Sequence, residues 1–197
     1  MKVLPGNIYY LNLDRISMNQ IDSLSQELVQ AKGIICDLRG YPNSNDQFIS
    51  HLLSIRDTST SWMQVPEFIY PDQERLAGYR KLGWGIIPLV PHFSAKVAFL
   101  IDGRAISYAE SYMSFVEHYK LGEIIGEATA GTNGNVNAFR VPGGYRITWT
   151  GMKVVKHDGP QHHGIGILPT IPVKRTIAGI RAGKDEFLEK AIEALSK

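Results

Sequence analysis

Ser107 lies in the segment Ala105-Ile-Ser-Tyr-Ala-Glu110, where a predicted strand gives way to a predicted helix. The free backbone N–H groups at the start of a helix favour negative charge. A serine there is suited to act as a nucleophile with an oxyanion site beside it. The same spacing suits a helix cap, with Ser107 as the N-cap residue and Glu110 completing a capping box. Spacing alone does not separate the two interpretations.

A serine nucleophile needs a base, and histidine is the usual one. His162 and His163 directly precede Gly164 in a predicted loop, where the alternative is a pair of surface histidines. Together with His157 they lack a carboxylate or cysteine at a metal-binding spacing. We therefore expect neither a metal nor a cofactor.

Composition excludes several classes of protein. The 197 residues include 44% hydrophobic and 20% charged residues, and the formal net charge is +2. This charge is too small to indicate a nucleic-acid partner. No apolar run approaches the roughly 20 residues of a membrane span, so no stable membrane insertion is expected. Cys36 is the only cysteine, which excludes a disulfide framework, and its apolar surroundings favour a core position.

Hydrophobic periodicity predicts a mixed α/β chain without internal repeats. Strands are predicted over residues 7–13, 34–38, 96–102 and 121–126, and the second resembles a strand buried on both faces of a parallel sheet. Helices are predicted over residues 19–31, 46–55, 107–120 and 185–195, with Gly33 closing the first in the C′ manner. Residues 96–126 then form a right-handed β-α-β crossover.

Residues 57–93 are harder to interpret. They contain several prolines and aromatic residues, which predict irregular strands and loops forming an excursion over the site. Trp62, Tyr70, Tyr79 and Trp84 suit either a substrate-side wall or ordinary core packing, and packing is favoured. Residues 135–140 and 145–155 are predicted strands flanking a Pro-Gly-Gly turn, and residues 159–172 a loop.

Four segments, in this order, resemble the C-terminal-processing (tail-specific) serine peptidases, nearer their tricorn-core branch than their Ser-Lys branch. The first is an apolar strand ending in Asp37-Leu-Arg39, and the second is the Ser-x-x-Glu segment from Ser107 to Glu110. The others are Gly126-Glu-Ala-Thr-Ala-Gly131 and Gly164-Ile-Gly-Ile-Leu-Pro169. Together they span most of the chain.

The resemblance implies an α/β fold with a crotonase- or Clp-protease-like β-α spiral core, and hydrolysis of peptide bonds through an acyl-enzyme. It implies that Ser107 is the nucleophile. The backbone N–H of Tyr108 is then one oxyanion donor, and a second comes from the turn after Arg39, from the backbone of Gly40, Asn43 or Ser44. The substrate is an unfolded or C-terminal tail segment of a polypeptide.

The chain departs from the family at three places. The Ser-Lys branch has its lysine where this chain has Thr132, which cannot act as a general base. The tricorn branch has a histidine from a segment that precedes this region, and His163 lies where that branch has an orienting carboxylate. The turn after Arg39 lacks two adjacent glycines, although Asn43 tolerates left-handed backbone.

These departures leave two functions open. The first is a single peptidase-core domain over residues 1–197, lacking the family's N-terminal helical and PDZ-like regions, with His163 or a histidine of a longer parent as the base. The second is a non-catalytic ligand- or peptide-binding homologue. A third alternative, a crotonase-type acyl-CoA enzyme, shares only the fold class with this chain. Family habit implies a periplasmic or envelope-associated parent, whereas the sequence indicates neither compartment nor oligomeric state.

Overall fold

The computed structural model describes residues 1–196. Within them the strands are β1 (Lys2–Leu4), β2 (Ile8–Asn12), β3 (Gly33–Asp37), β4 (Met63–Phe68), β5 (Leu76–Leu82), β6 (Lys96–Ile101), β7 (Glu123–Gly126), β8 (Val136–Arg140), β9 (Arg146–Thr150), β10 (Lys153–Val154) and β11 (Ile171–Pro172). The helices are α1 (Met18–Ser23), α2 (Ser25–Val29), a 3₁₀ helix (Asp46–His51), α3 (Tyr108–Tyr119), α4 (Ile177–Arg181) and α5 (Glu186–Leu195). The predicted mixed α/β class is confirmed.

A six-stranded sheet in the order β1-β2-β3-β6-β7-β11 forms the centre of the fold. β3 is buried along its whole length and pairs in parallel with β2 and β6, as its continuous apolar run predicted. β6, α3 and β7 form the predicted β-α-β unit, with β6 and β7 parallel. The carboxyl ends of β2, β3, β6 and β7 therefore lie at one edge of the sheet, where ligands bind in open α/β sheets.

Apolar clusters cover both faces of the sheet. On one face, α3 buries Tyr112, Phe115 and Val116 against the large core. On the other, α5 buries Phe187, Ala191 and Leu195 against alternate residues of β3, β6 and β7. Each large apolar side chain buried in this way contributes about 2 kcal/mol through the apolar surface it removes from water. The helix that carries Ser107 at its start is thus fixed by the core along its length.

Two smaller sheets stand beside this core. β4 and β5 pair with each other, with a register shift between Glu67 and Phe68, and β10 pairs with β4. The irregular strands and loops predicted over residues 57–93 are therefore observed. β8 and β9 form a separate antiparallel hairpin. Trp62 is buried and packs against Trp84 and Phe115, so core packing is correct for Trp62. Trp84 is only half-buried, and Tyr70 is exposed.

Three local predictions were wrong. The helix predicted over residues 19–31 is two short helices that meet at Leu24, and α2 ends at Val29. Gly33 does not cap it but begins β3, where an added Cβ would lie 3.0 Å from the Leu195 side chain. The helix predicted over residues 46–55 is a 3₁₀ helix that ends at His51. None of the helices in residues 1–196 is long and apolar enough to cross a membrane.

Candidate active site

Ser107 adopts a backbone conformation that serines rarely adopt. It lies half-buried between β6 and α3 with φ 51° and ψ −111°. Its N–H donates to the carbonyl of Thr132 at 2.9 Å, and its own carbonyl accepts from the N–H groups of Glu110 and Ser111. Such strain costs about 1–3 kcal/mol and persists only where the surroundings enforce it. The sharp turn resembles the strained strand-to-helix turn that presents a nucleophilic serine in other hydrolases.

The structure contradicts the capping-box interpretation. The side chain of Ser107 makes no hydrogen bond to the first turn of α3. The carboxylate of Glu110 also turns away from Ser107 and instead meets residues 129–132. The positive φ explains this result, because an N-cap residue normally has extended backbone that points its side chain at the N2 or N3 amide.

Glu110 anchors the segment that holds Ser107. Its Oε1 accepts from the Thr129 hydroxyl at 2.6 Å and from the Gly131 N–H at 2.7 Å, and its Oε2 accepts from the Thr132 N–H at 2.8 Å. Burial alone would raise the pKa of Glu110, but the nearby His162 and the hydrogen bonds from Thr129 and Gly131 outweigh it and lower that pKa. The carboxylate therefore stays ionised and fixes the segment.

The two adjacent histidines face opposite ways. The His162 side chain is 1% exposed, and its Nε2 lies 3.4 Å from Oε1 of Glu110. His163 is exposed and lines a groove of about 450 Å³ with Phe68, Tyr79 and others, and it does not line the cleft that contains Ser107. The structure therefore does not bring His163 to Ser107, and its role as a base stays a prediction.

The cleft beside Ser107 has a volume of about 380 Å³. Its lining residues are Tyr41, Pro42, Ser44, Asp46, Met63, Trp84, Ser107, Tyr108, Ser111, Asn133 and Asn135. Within residues 1–196, this lining contains no histidine and no lysine. The cleft therefore exposes Ser107, the predicted nucleophile, without a histidine or lysine in its lining.

Tyr108 is well placed for the predicted oxyanion role. It is the first residue of α3, where a backbone N–H has no partner inside the helix. Its hydroxyl donates to Asp46 at 2.6 Å, which ties the start of α3 to the turn after β3. Burial first, and then this hydrogen bond to Asp46, raise the pKa of Tyr108 above its ordinary value, so the phenol keeps its proton.

Two of the residues predicted to supply the second oxyanion donor already use their backbone N–H groups in other hydrogen bonds. The N–H of Asn43 donates to the Leu13 carbonyl at 2.8 Å, and the N–H of Ser44 donates to the Pro42 carbonyl at 3.1 Å. Ser44 has φ 48°, the left-handed conformation that glycine adopts without strain. Gly40 lines a different cavity, of about 630 Å³. The second oxyanion donor stays a prediction.

An ion-pair cluster explains the Asp-Leu-Arg segment in structural terms. The Arg39 guanidinium forms hydrogen bonds to both Asp37 and Asp185, at distances of 2.6–2.9 Å. Asp185 is also the N-cap of α5. Burial alone would raise the pKa of Asp37, but hydrogen bonds from Arg39 and its charge lower it. Arg39 thus joins the end of β3 to the start of α5, a partnership that the sequence analysis missed.

His157 belongs to a second buried network. Its Nδ1 lies 2.9 Å from the Ser59 hydroxyl and its Nε2 lies 2.9 Å from the Ser114 hydroxyl. Ser59 and Tyr119 in turn donate to Asp57. Burial lowers the pKa of His157 to about 4, with the nearby His118 adding to the effect. The partners are distant in sequence, so no local pattern could have revealed this network.

Metal binding has no support in the geometry. Across residues 1–196, no group of three histidine, cysteine, aspartate or glutamate side chains is placed to hold a metal ion. Cys36 is free and fully buried, as its apolar surroundings predicted. Burial, and then the charge of Asp37, raise the pKa of its thiol, so it is not a reactive cysteine.

Comparisons with known proteins agree with the motifs. The family model described as peptidase family S41 matches residues 7–173. No curated protein matches the chain. The resemblance identified from the four sequence segments is therefore confirmed at the level of the family.

Solved structures share the fold at low sequence identity. A candidate peptidase from Parabacteroides merdae has a TM-score of 0.73 and 18% identity, over 98% of this chain and 63% of its own. The tricorn protease has a TM-score of 0.64 and 18% identity, over 96% of this chain and 18% of its own. The photosystem II D1 C-terminal processing protease has a TM-score of 0.56 and 16% identity, over 99% of this chain and 49% of its own. This chain thus spans less than two-thirds of the length of each of these three proteins.

Proposed function

Because the chain belongs to peptidase family S41, we propose that it is the catalytic core of a serine peptidase with Ser107 as its nucleophile. The observation that carries the proposal is the positive φ of Ser107 at the start of α3, in an open cleft. The substrate is an unfolded or C-terminal tail segment of a polypeptide. A substrate of this kind binds along a strand edge through its main chain, which needs no folded partner surface.

The reaction proceeds through an acyl-enzyme. The Ser107 hydroxyl oxygen attacks the peptide carbonyl while a base accepts the hydroxyl proton. The N–H of Tyr108 stabilises the negative charge that develops on the carbonyl oxygen. The C–N bond then breaks as the base returns the proton to the leaving amine, and water hydrolyses the ester to release the second product and the serine.

The proposed location of the base rests on the lining of the cleft. Since no histidine or lysine in residues 1–196 lines the cleft, we place the base in a longer parent protein, with His163 as the alternative within this chain. We further propose that residues 1–197 correspond to the peptidase core, with a crotonase- or Clp-protease-like spiral arrangement and without helical or PDZ-like regions. The greater length of the solved relatives supports this division.

A non-catalytic peptide-binding homologue is the second candidate. It is favoured by the same lack of a base and by the exposed Thr132 where the Ser-Lys branch has its lysine. Incubation of the longest available form with a reduced, carboxymethylated polypeptide separates the two functions. Mass spectrometry should detect fragments that disappear in Ser107→Ala and persist in Ser94→Ala, a substitution at an exposed serine before the opposite end of β6. Binding without fragments would instead support the second candidate.

A further inference from the structure

His162 lies inside the molecule although it belongs to a loop. Its side chain is 1% exposed, and its Nε2 has no hydrogen-bond partner within residues 1–196. The nearest carboxylate oxygen is Oε1 of Glu110, at 3.4 Å and in poor alignment. A buried polar nitrogen without a partner costs about 1–3 kcal/mol, so its placement needs a reason.

The carboxylate that faces His162 controls the backbone next to Ser107. Glu110 accepts from Gly131 and Thr132, and the carbonyl of Thr132 accepts the Ser107 N–H. The connection from the His162 ring to the backbone of the proposed nucleophile therefore passes through only two residues. A displacement of Glu110 moves the acceptor that holds Ser107 in its strained conformation.

The turn that carries His162 packs against the same segment. The N–H of Gly164 donates to the Gly131 carbonyl at 2.9 Å, and the N–H of Gly166 donates to the His162 carbonyl at 2.9 Å. Both glycines at the closest approach, Gly131 and Gly166, have positive φ, and an added Cβ would lie within 3.0 Å of the opposite backbone. The backbone of the turn that carries His162 thus holds the His162 ring next to Glu110.

We infer that His162 is a positioning residue for Ser107, acting as an Nε2–H donor that holds the Glu110 carboxylate against Gly131 and Thr132. A donor is required because a ring nitrogen lone pair would be repelled by the carboxylate. A charge-assisted hydrogen bond here restrains Oε1, which already accepts from Thr129 and Gly131. The catalytic consequence rests on the proposed function, whereas the contact itself does not.

Ring NMR of the unsubstituted chain tests the contact first. A long-range ¹H–¹⁵N spectrum at neutral pH should show a proton on Nε2 of the His162 ring. An unprotonated Nε2 at neutral pH would overturn the inference. This experiment needs no substitution and no activity, so it remains decisive even if a variant does not fold.

Two substitutions then test the positioning role. His162→Gln keeps a donor that reaches Glu110, whereas His162→Leu fills the space without one. We expect His162→Leu to move the amide proton signals of Gly131 and Thr132, and to lower the rate at which a fluorophosphonate labels Ser107 by roughly tenfold or more. His162→Gln should restore both towards the original values, and His92→Gln, at an exposed histidine, should change neither.

The two readouts separate the two proposals. If His162→Leu folds cooperatively but leaves the Gly131 and Thr132 amide signals unchanged, His162 does not position this segment. If the amide signals move while the labelling rate stays constant, the positioning role for the nucleophile is wrong. If an unsubstituted form that includes the segment supplying the base is not labelled at all, the proposed function fails, and the amide signals still decide whether His162 holds Glu110.

Discussion

The backbone N–H of Ser107 donates to the carbonyl of Thr132 at 2.9 Å, so the proposed nucleophile is held by the residue that stands where the Ser-Lys branch has its base. Thr132 is itself fixed by Glu110 through its N–H. Thr132 is therefore held by hydrogen bonds at both its N–H and its carbonyl, while its side chain has no basic group. Thr132 is exposed, so a longer side chain has room at this position.

Thr132→Lys should make Ser107 more reactive. A lysine at this position supplies an amine beside the serine that Thr132 already holds, and general base catalysis typically contributes 10²–10⁴-fold. We expect the rate of fluorophosphonate labelling to rise at least tenfold, and to increase with pH as the lysine loses its proton. Asn135→Lys, which adds a lysine elsewhere in the same cleft, is the matched control. Equal rates in the two variants would contradict the geometry.

Ser107→Gly should be more stable than Ser107→Ala. Both remove the hydroxyl, but only glycine adopts φ 51° without a steric penalty. The difference in free energy of unfolding, measured by urea titration, should be about 1 kcal/mol in favour of glycine. An alanine variant as stable as the glycine variant would mean that Ser107 is not strained.

Arg39→Met should destabilise the fold strongly. The substitution keeps much of the side-chain length but leaves the carboxylates of Asp37 and Asp185 without their shared cation. Breaking such a buried pair costs about 3–5 kcal/mol, and the partial exposure of Asp185 lowers this to about 3 kcal/mol. Urea unfolding measures the loss, with Arg56→Met, at an exposed arginine, as the control. A loss of free energy of unfolding as small as that of the control would show that Arg39 does not stabilise the fold.

Acidification should weaken the fold through His157. Burial first, and then the nearby His118, hold the pKa of His157 at about 4 in the folded chain, against an ordinary value near 6.5. The unfolded chain therefore takes up a proton between about pH 6.5 and 4 that the folded chain does not, and the native state loses stability as the pH falls through this window.

The loss attributable to His157 should be about 3 kcal/mol between pH 7 and pH 4. Free energies of unfolding at the two pH values, compared between the natural chain and His157→Gln, isolate this contribution because glutamine does not titrate. His92→Gln should keep the pH dependence of the natural chain. A natural chain whose pH dependence matches that of His157→Gln would show that folding does not lower the pKa of His157.

The central β-α-β unit could be predicted from sequence because its signals are local and strong. Residues 97–101 are a continuous apolar run, and the apolar face of α3 repeats at helical spacing. The predicted helix over residues 19–31 failed because hydrophobic spacing continues across the break at Leu24. The strands β4 and β5 were obscured by proline and by exposed residues on both faces.

The candidate site shows where sequence reasoning stops. Spacing identified Ser107 and Glu110, but suggested that they pair with each other. The partners of Glu110 lie about 20 residues further along the chain, and local rules do not report such contacts. His162 and His163 are adjacent, and only the fold of their turn determines that the first faces Glu110.

The most direct test of Ser107 as nucleophile is covalent labelling of the longest available form with a fluorophosphonate, followed by peptide mapping. The account predicts a single phosphonylated peptide that carries the adduct on Ser107, loss of labelling in Ser107→Ala, and unchanged labelling in Ser94→Ala. Labelling at another serine, or no labelling of a form that includes the segment supplying the base, would contradict it.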